Sequence, residues 1–293
     1  MFKLIIFFPF LLNALLIDYN ICNTKFKNIE ILDSKEYISN ANISELSDLV
    51  YKNHILYALS DKGVLHKFNI DISNNKIKSL KLFSSYKLKD KKGKKLKKKF
   101  RDSEGLAWFD GKLLISFEDQ NRVMLYDVDA IAIKKIKINK KLRNNNNYKS
   151  KNSGLEGVTY SSIYGVVTSP EVPLRHYKKK YHRLYSKNKV WKFLANGDIT
   201  ALEFIDSNKI MVLLRDFDFF TRQRVSTLIE LDLSKCKDIC PSKLIVKLDS
   251  NNGCNLDNFE GLTKIKDNIY LMVSDDNDNF LQKTIFVLFK IKG

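Results

Sequence analysis

The chain has 293 residues, 44 % of them hydrophobic, and a formal net charge of +18. That length and apolar content exclude a disordered chain and suit a single closed β architecture. Nine Lys, one Arg and one Asp lie in residues 87–101, and six Lys with two Arg lie in residues 175–192, which supplies 17 of the 18 charges and excludes a uniformly basic surface.

At the N-terminus Lys3 precedes an apolar run, residues 4–17, broken by Pro9 and Asn13. A membrane-spanning helix needs about 20 apolar residues. The run is therefore read as a secretory signal peptide, 1–22, cut between Asp18 and Thr24; an uncleaved anchor is the alternative. Ile21 stands where a small residue would precede a lipid-modified Cys22, which argues against a lipoprotein. The mature chain, 23–293, lacks any later segment apolar enough to span a bilayer. It is expected to be an exported monomer, periplasmic or extracellular.

Five similar units follow. They begin at Ser47-Asp48-Leu49, Glu104-Gly105-Leu106, Glu156-Gly157-Val158, Thr200-Ala201-Leu202 and Glu260-Gly261-Leu262, with the aligned Leu or Val 57, 52, 44 and 60 residues apart. Each opens with a short apolar run, turns at residues such as Asp110-Gly111 or Asp267-Asn268, and returns in a second apolar run. Turns of Asn, Asp and Gly between short β-rich runs are hairpin signals, and no segment keeps a helical period. Blade-sized repeats of hairpins predict an all-β propeller of five or six antiparallel blades. Residues 26–38 complete the last blade or form a sixth.

The basic stretches 87–101 and 175–192 are read as insertions. The first lacks aromatic interleaving and is expected to be a solvated loop. The second places Tyr177, Tyr181, Tyr185 and Trp191 among its bases and is the better contact surface for an anion. No nucleic-acid-binding motif is present. Cys22, Cys236, Cys240 and Cys254 can form disulfides in an oxidising compartment, with connectivity open. They have neither the partners nor the spacing of a zinc site, and the four His are scattered.

Carboxylates carry the chemistry. Rotation about a propeller axis would bring Glu104, Glu156 and Glu260 into one ring. Twelve or thirteen residues after the aligned Leu or Val come Asp61, Glu118, Glu171, Arg215 and Asp275, a second ring nearby. Crowded carboxylates raise one another's pKa unless a cation or donor intervenes, and oxygen ligands without His or Cys favour Ca2+. The expected metal ligands are Glu104, Glu156, Glu260 and Asp275. The alternative is that each Glu accepts backbone hydrogen bonds from the next blade and fixes packing.

Asp102-Ser103-Glu104-Gly105-Leu106-Ala107, Gly154-Leu155-Glu156-Gly157, the Glu171 segment, Leu214-Arg215, Asn258-Phe259-Glu260-Gly261-Leu262 and Ser274-Asp275-Asp276-Asn277 resemble the motifs of the phytase-like family, "esterase-like activity of phytase". The resemblance runs over nearly the whole mature chain. It implies a propeller, export and hydrolysis of phosphate esters; the two basic stretches have no match in it. The expected catalytic set is Glu104, Glu156, Glu171, Arg215 and Glu260, with Ca2+ as cofactor and a phosphate ester or other anionic small molecule as substrate. A non-catalytic binding or scaffold propeller of the cell envelope is the competing reading.

Overall fold

The computed structural model describes residues 14–38, 43–118 and 120–292. They form five antiparallel sheets, and the innermost strands of neighbouring sheets touch in a closed ring. The molecule is a five-bladed β-propeller. Among the described residues helix is confined to four three-residue 3-10 turns.

From the axis outward, blade one consists of Leu46–Lys52, Ile55–Ser60, Val64–Ser73 and Lys76–Lys87. Blade two consists of Ser103–Phe109, Lys112–Phe117, Arg122–Tyr126 and Ala132–Ile136. Blade three has Leu155–Ser161, Gly165–Pro170, Tyr181–Tyr185 and Val190–Leu194. Blade four has Asp198–Phe204, Lys209–Phe217, Arg224–Asp232 and Ser242–Asp249. Its two-residue strand Ile239–Cys240 pairs in parallel with the edge of blade three. Blade five takes Asn258–Lys266, Ile269–Asp275 and Ile285–Ile291 from the C-terminal end, and Ile29–Ile38 and Leu15–Asp18 from the N-terminal end. Residues 26–38 therefore complete the last blade, and the described residues form no sixth.

The inner hairpins turn where the sequence places them. Asn53-His54 and Asp110-Gly111 are two-residue turns with both φ values positive, the geometry that matches the twist of the flanking strands. Alternate residues of each strand face the neighbouring blades, so the core is five apolar layers, one between each adjacent pair of blades. No blade could bury both faces alone.

The repeated glycine has a steric cause. A Cβ on Gly105 would lie 2.6 Å from the Glu156 carbonyl oxygen, one on Gly157 2.7 Å from Leu202 Cγ, and one on Gly261 3.0 Å from Asp48 Cα. Inner strands converge there, and in blades two, three and five glycine lets the next strand approach. Blade one carries Asp48 at this position. Its buried carboxylate accepts the backbone N–H of Leu106 in blade two (2.7 Å) and Leu262 in blade five (3.1 Å), tying both neighbours to one side chain.

Both basic stretches differ from expectation. Residues 175–192 are not an insertion, because they contain the third strand of blade three and most of its fourth. Tyr185 and Trp191 are buried, and Arg183 stacks 3.3 Å from the centre of the Tyr177 ring, so the interleaved aromatics serve packing within the chain. The 87–101 stretch is ordered: Leu88 is buried, Lys89 pairs with blade two, and Lys98–Phe100 forms a 3-10 turn at the mouth of the ring. Its exposed parts include the turn residues 91–95 and the lysines 97–99.

The disulfides join Cys22 to Cys254 and Cys236 to Cys240. Residues 1–13 of the expected signal peptide lie outside the described residues. Of its remainder, Leu15–Asp18 is the outermost strand of blade five and Ile21 is buried.

Candidate active site in the throat

All five inner strands start at the same end of the ring, and all five second strands finish there. That end is a throat walled by the repeated polar residues. Glu104, Glu156 and Glu260 begin inner strands of blades two, three and five, and Asp61, Glu118, Glu171, Arg215 and Asp275 end or follow second strands. The two expected rings therefore meet in one place.

On the side of blades three to five, Arg215 organises the throat. Its Nη1 donates to Asn258 Oδ1 (2.6 Å) and to Glu260 Oε1, and its Nη2 donates to Glu171 Oε1 (3.0 Å). Asn258 Nδ2 donates to the same Glu260 oxygen at 2.7 Å. Burial works against the Arg215 charge, but Glu260, Glu156 and Glu171 more than reverse that and hold its pKa above the ordinary value.

On the side of blade two, Asp102, Glu104 and Glu118 each present a carboxylate oxygen within 4.8 Å of the other two. Burial, then Glu156, Asp102 and Glu260, hold the Glu104 carboxyl well above its ordinary range. Burial lifts Glu118 to about 7 although it accepts the Gly154 N–H at 2.9 Å. A Cβ on Gly154 would lie 2.5 Å from Glu118 Cγ, so this residue too must be glycine.

The remaining acids are displaced in the same direction. Burial and then Glu45 raise Asp61 to about 7, burial and then Glu260 raise Asp275 to about 8, and burial raises Glu171 to about 7 against the pull of Arg215. Glu156 stands well above its ordinary range through burial, then Glu171 and Glu260. Among the described residues the Glu104 and Glu156 carboxylates accept no hydrogen bond. Blade-to-blade ties come instead from Asp48 and from hydroxyls such as Ser47 to the Ser103 carbonyl (2.8 Å) and Thr200 to the Phe259 carbonyl (3.2 Å). The packing alternative for these two Glu side chains is thus not what the geometry shows.

Of the four expected metal ligands, only Glu104 belongs to the group of three. Glu260 is committed to Arg215, Glu156 stands outside the group although its charge acts on Glu104 and that of Glu171 acts on it, and Asp275 accepts the Asn277 N–H (2.7 Å) beside Asp61. Asp102 and Glu118 take the other places. Asp102 and Asn258 each sit two residues before a ring Glu, and Glu45, Gly154 and Asp198 are their equivalents. This repeat position was visible in the sequence and is a third polar layer of the throat. Three carboxylate oxygens with no His or Cys form a hard donor set, which fits Ca2+.

Two cavities open on the throat. One, about 610 Å³, is lined by Glu45, Asp61, Lys62, Lys98, Lys99, Arg101 and Asp102. The 3-10 turn that ends the first basic stretch thus forms a cationic wall beside the acids. The other, about 480 Å³, lies around Arg215, with Lys179, Asp198, Arg224 and Asn258 in its walls.

Fold and site together define a β-propeller with a carboxylate-rich central throat. Residues 41–278 match the family described as phytase-like, esterase-like activity of phytase, and the chain belongs to that family. No curated protein matches it in sequence. Among solved structures, the chain is similar to Myxococcus xanthus glutaminyl cyclase, with 10 % identity, 90 % of this chain and 97 % of that one covered, and a TM-score of 0.50. The β-propeller domain of Cps50 (Swd1) from Myceliophteria thermophila aligns over 90 % of this chain and all of its own, with 8 % identity and a TM-score of 0.43. At such identities the likeness concerns the fold alone.

Proposed function

We propose that the protein is an exported, metal-assisted hydrolase of phosphate or other anionic esters. The observation that carries this reading is the group Asp102, Glu104 and Glu118 placed beside the cationic wall of Lys98, Lys99 and Arg101, which share a cavity with Asp102. Family membership supports the hydrolytic class, and two disulfides support an oxidising compartment.

Ca2+ held by Asp102, Glu104 and Glu118 would supply polarisation of an ester oxygen and a lowered pKa for attacking water. Lys98, Lys99 and Arg101 would draw the anionic group of the substrate into the cavity and hold it against the acids. Glu156, whose pKa is raised by burial and by Glu171 and Glu260, is suited to give a proton to the leaving oxygen. Arg215, fixed by Glu171, Glu260 and Asn258, offers its remaining positive potential to charge that develops in the throat.

A panel of phosphate mono- and diesters and carboxylic esters, assayed with millimolar Ca2+ and with chelator, tests the proposal. Turnover that requires the metal and disappears in Glu118→Gln is expected. Saturable binding of an anionic ligand without turnover of any member would instead establish a binding propeller.

A further inference from the structure

The loops that follow the second strands of blades four and five leave the ring at the throat end. The blade-four loop joins Lys209–Phe217 to Arg224–Asp232, and the blade-five loop joins Ile269–Asp275 to Ile285–Ile291. Their bases line the same cavity, Phe217 and Arg224 from one, Asn277 and Gln282 from the other. Their tips are apolar and stand in water: Phe220 is 94 % exposed and Phe280 93 %, with Phe219 and Leu281 also largely exposed. These are the most exposed large hydrophobic side chains among the described residues. Isolated exposed apolar residues need no explanation, but a cluster on adjacent loops marks a contact surface.

The cavity between the loops balances Lys179, Arg215 and Arg224 against Asp198, Asp216 and Asp257, and further bases stand around the tips. Arg222 lies 4.7 Å from the centre of the Phe219 ring and Arg224 5.8 Å from that of Phe217. Lys179 lines the adjoining cavity, and Lys98, Lys99 and Arg101 stand across the throat. The acids of the two loops are turned to local partners. Asp218 accepts the N–H groups of Phe220 and Thr221 (both 2.9 Å), Asp276 accepts from Glu45 and Thr284, and Asp278 is paired with Lys62 (2.9 Å).

We propose that the throat face docks on an anionic lipid bilayer, with Phe219, Phe220, Phe280 and Leu281 entering the headgroup region and the surrounding bases holding the lipid phosphates. Separate projecting tips suit a soft surface that closes around each side chain, whereas a protein partner would need a matching socket for each. Aromatic side chains favour the bilayer interface, and a net charge of +18 draws the molecule to a negative surface. Docking would set the throat against the headgroups. The proposal does not depend on hydrolysis.

Sedimentation with vesicles of phosphatidylcholine alone, and of phosphatidylcholine mixed with phosphatidylglycerol, tests it. The wild type is expected to bind the mixed vesicles, less so as salt rises, and to leave pure phosphatidylcholine in solution. The double variant Phe220→Ser/Phe280→Ser should bind about tenfold more weakly, from the lost apolar burial, with an unchanged melting temperature because both side chains are exposed. Phe220→Trp should keep binding and show a blue-shifted emission with mixed vesicles. Equal binding by wild type and double variant, equal binding to both vesicle types, or no binding to either overturns the proposal. So does a Phe220 contact that is captured only with another protein when vesicles go unbound.

Discussion

The two sides of the throat use one repeat in opposite ways. At the end of its second strand, blade four has Arg215, and the carboxylates around it, Glu171 and Glu260, are paired and oriented. At the equivalent position blade two has Glu118, and on Glu104 beside it burial comes first and the charges that act next are all carboxylates. The repeat fixes where a side chain stands, and its identity decides whether the site is closed by its own counterion or calls for one from solution. The side around Arg215 holds its groups in fixed pairs, and the proposed chemistry is assigned to the side of blade two.

The sharpest break of this contrast comes from charge removal. Glu104→Gln and Glu118→Gln should lower turnover of the best ester substrate by roughly a hundredfold or more, the scale seen when a stabilising group is lost from a reaction centre. A loss of under threefold would place the chemistry elsewhere. In chelator the same Glu104→Gln protein should melt higher than wild type at pH 8, by a few degrees, because a buried repulsive carboxyl is gone.

Arg215→Ala should produce the opposite pattern. Removing one partner of a buried pair leaves uncompensated charge and costs about 3 kcal/mol at pH 8, or roughly 6–12 °C for a chain of this size. The cost should shrink at pH 5, where Glu171, whose pKa is held near 7, takes up a proton. Equal losses at both pH values would show that Arg215 acts by packing alone.

Proton linkage gives a smaller effect. Asp61, Glu118 and Asp275 are raised to about 7, 7 and 8 in the fold. Each therefore binds a proton that it loses on unfolding. Metal-free stability should be fully present below about pH 4 and fall as pH rises from there through 7–8. Added Ca2+ should oppose the fall, by about 2.7 kcal/mol at a hundredfold excess over its dissociation constant. Melting curves at pH 5 and pH 8, with and without the metal, check both signs. A flat pH dependence in chelator would contradict the crowding.

The smallest effect concerns the exposed turn of the first basic stretch. Shortening it between Asp90 and Lys95 should change stability by no more than about 0.5 kcal/mol. Removing all of 87–101 should abolish cooperative melting, because Leu88 and Leu96 pack in the layer between blades one and two.

The hairpins and both carboxylate rings were legible because turn chemistry and repeat spacing are local signals. Asp110-Gly111 announces its own turn, and a ring follows from counting. The third layer at Glu45, Asp102, Gly154, Asp198 and Asn258 was missed because its residues differ in type, although their position does not. The outer strands of blade three were hidden by charge. His182 and Leu184, then Trp191 and Phe193, alternate inward, but the solvated edge of a blade tolerates Lys and Arg between them. Which carboxylates come together as a group of three could not be read from spacing, because Arg215 engages Glu260.

Blade five is assembled from both ends of the chain, and Cys22 is bonded to Cys254. That arrangement sets a timetable for biosynthesis. Ile29–Ile38 is made before blades one to four, yet its antiparallel partner Ile285–Ile291 is made after them. Until that final strand arrives the early one has no sheet to join, the inner surfaces of blades one and four lack their fifth neighbour, and the throat has no complete wall. The ring therefore stays open until Ile285–Ile291 is free to pair.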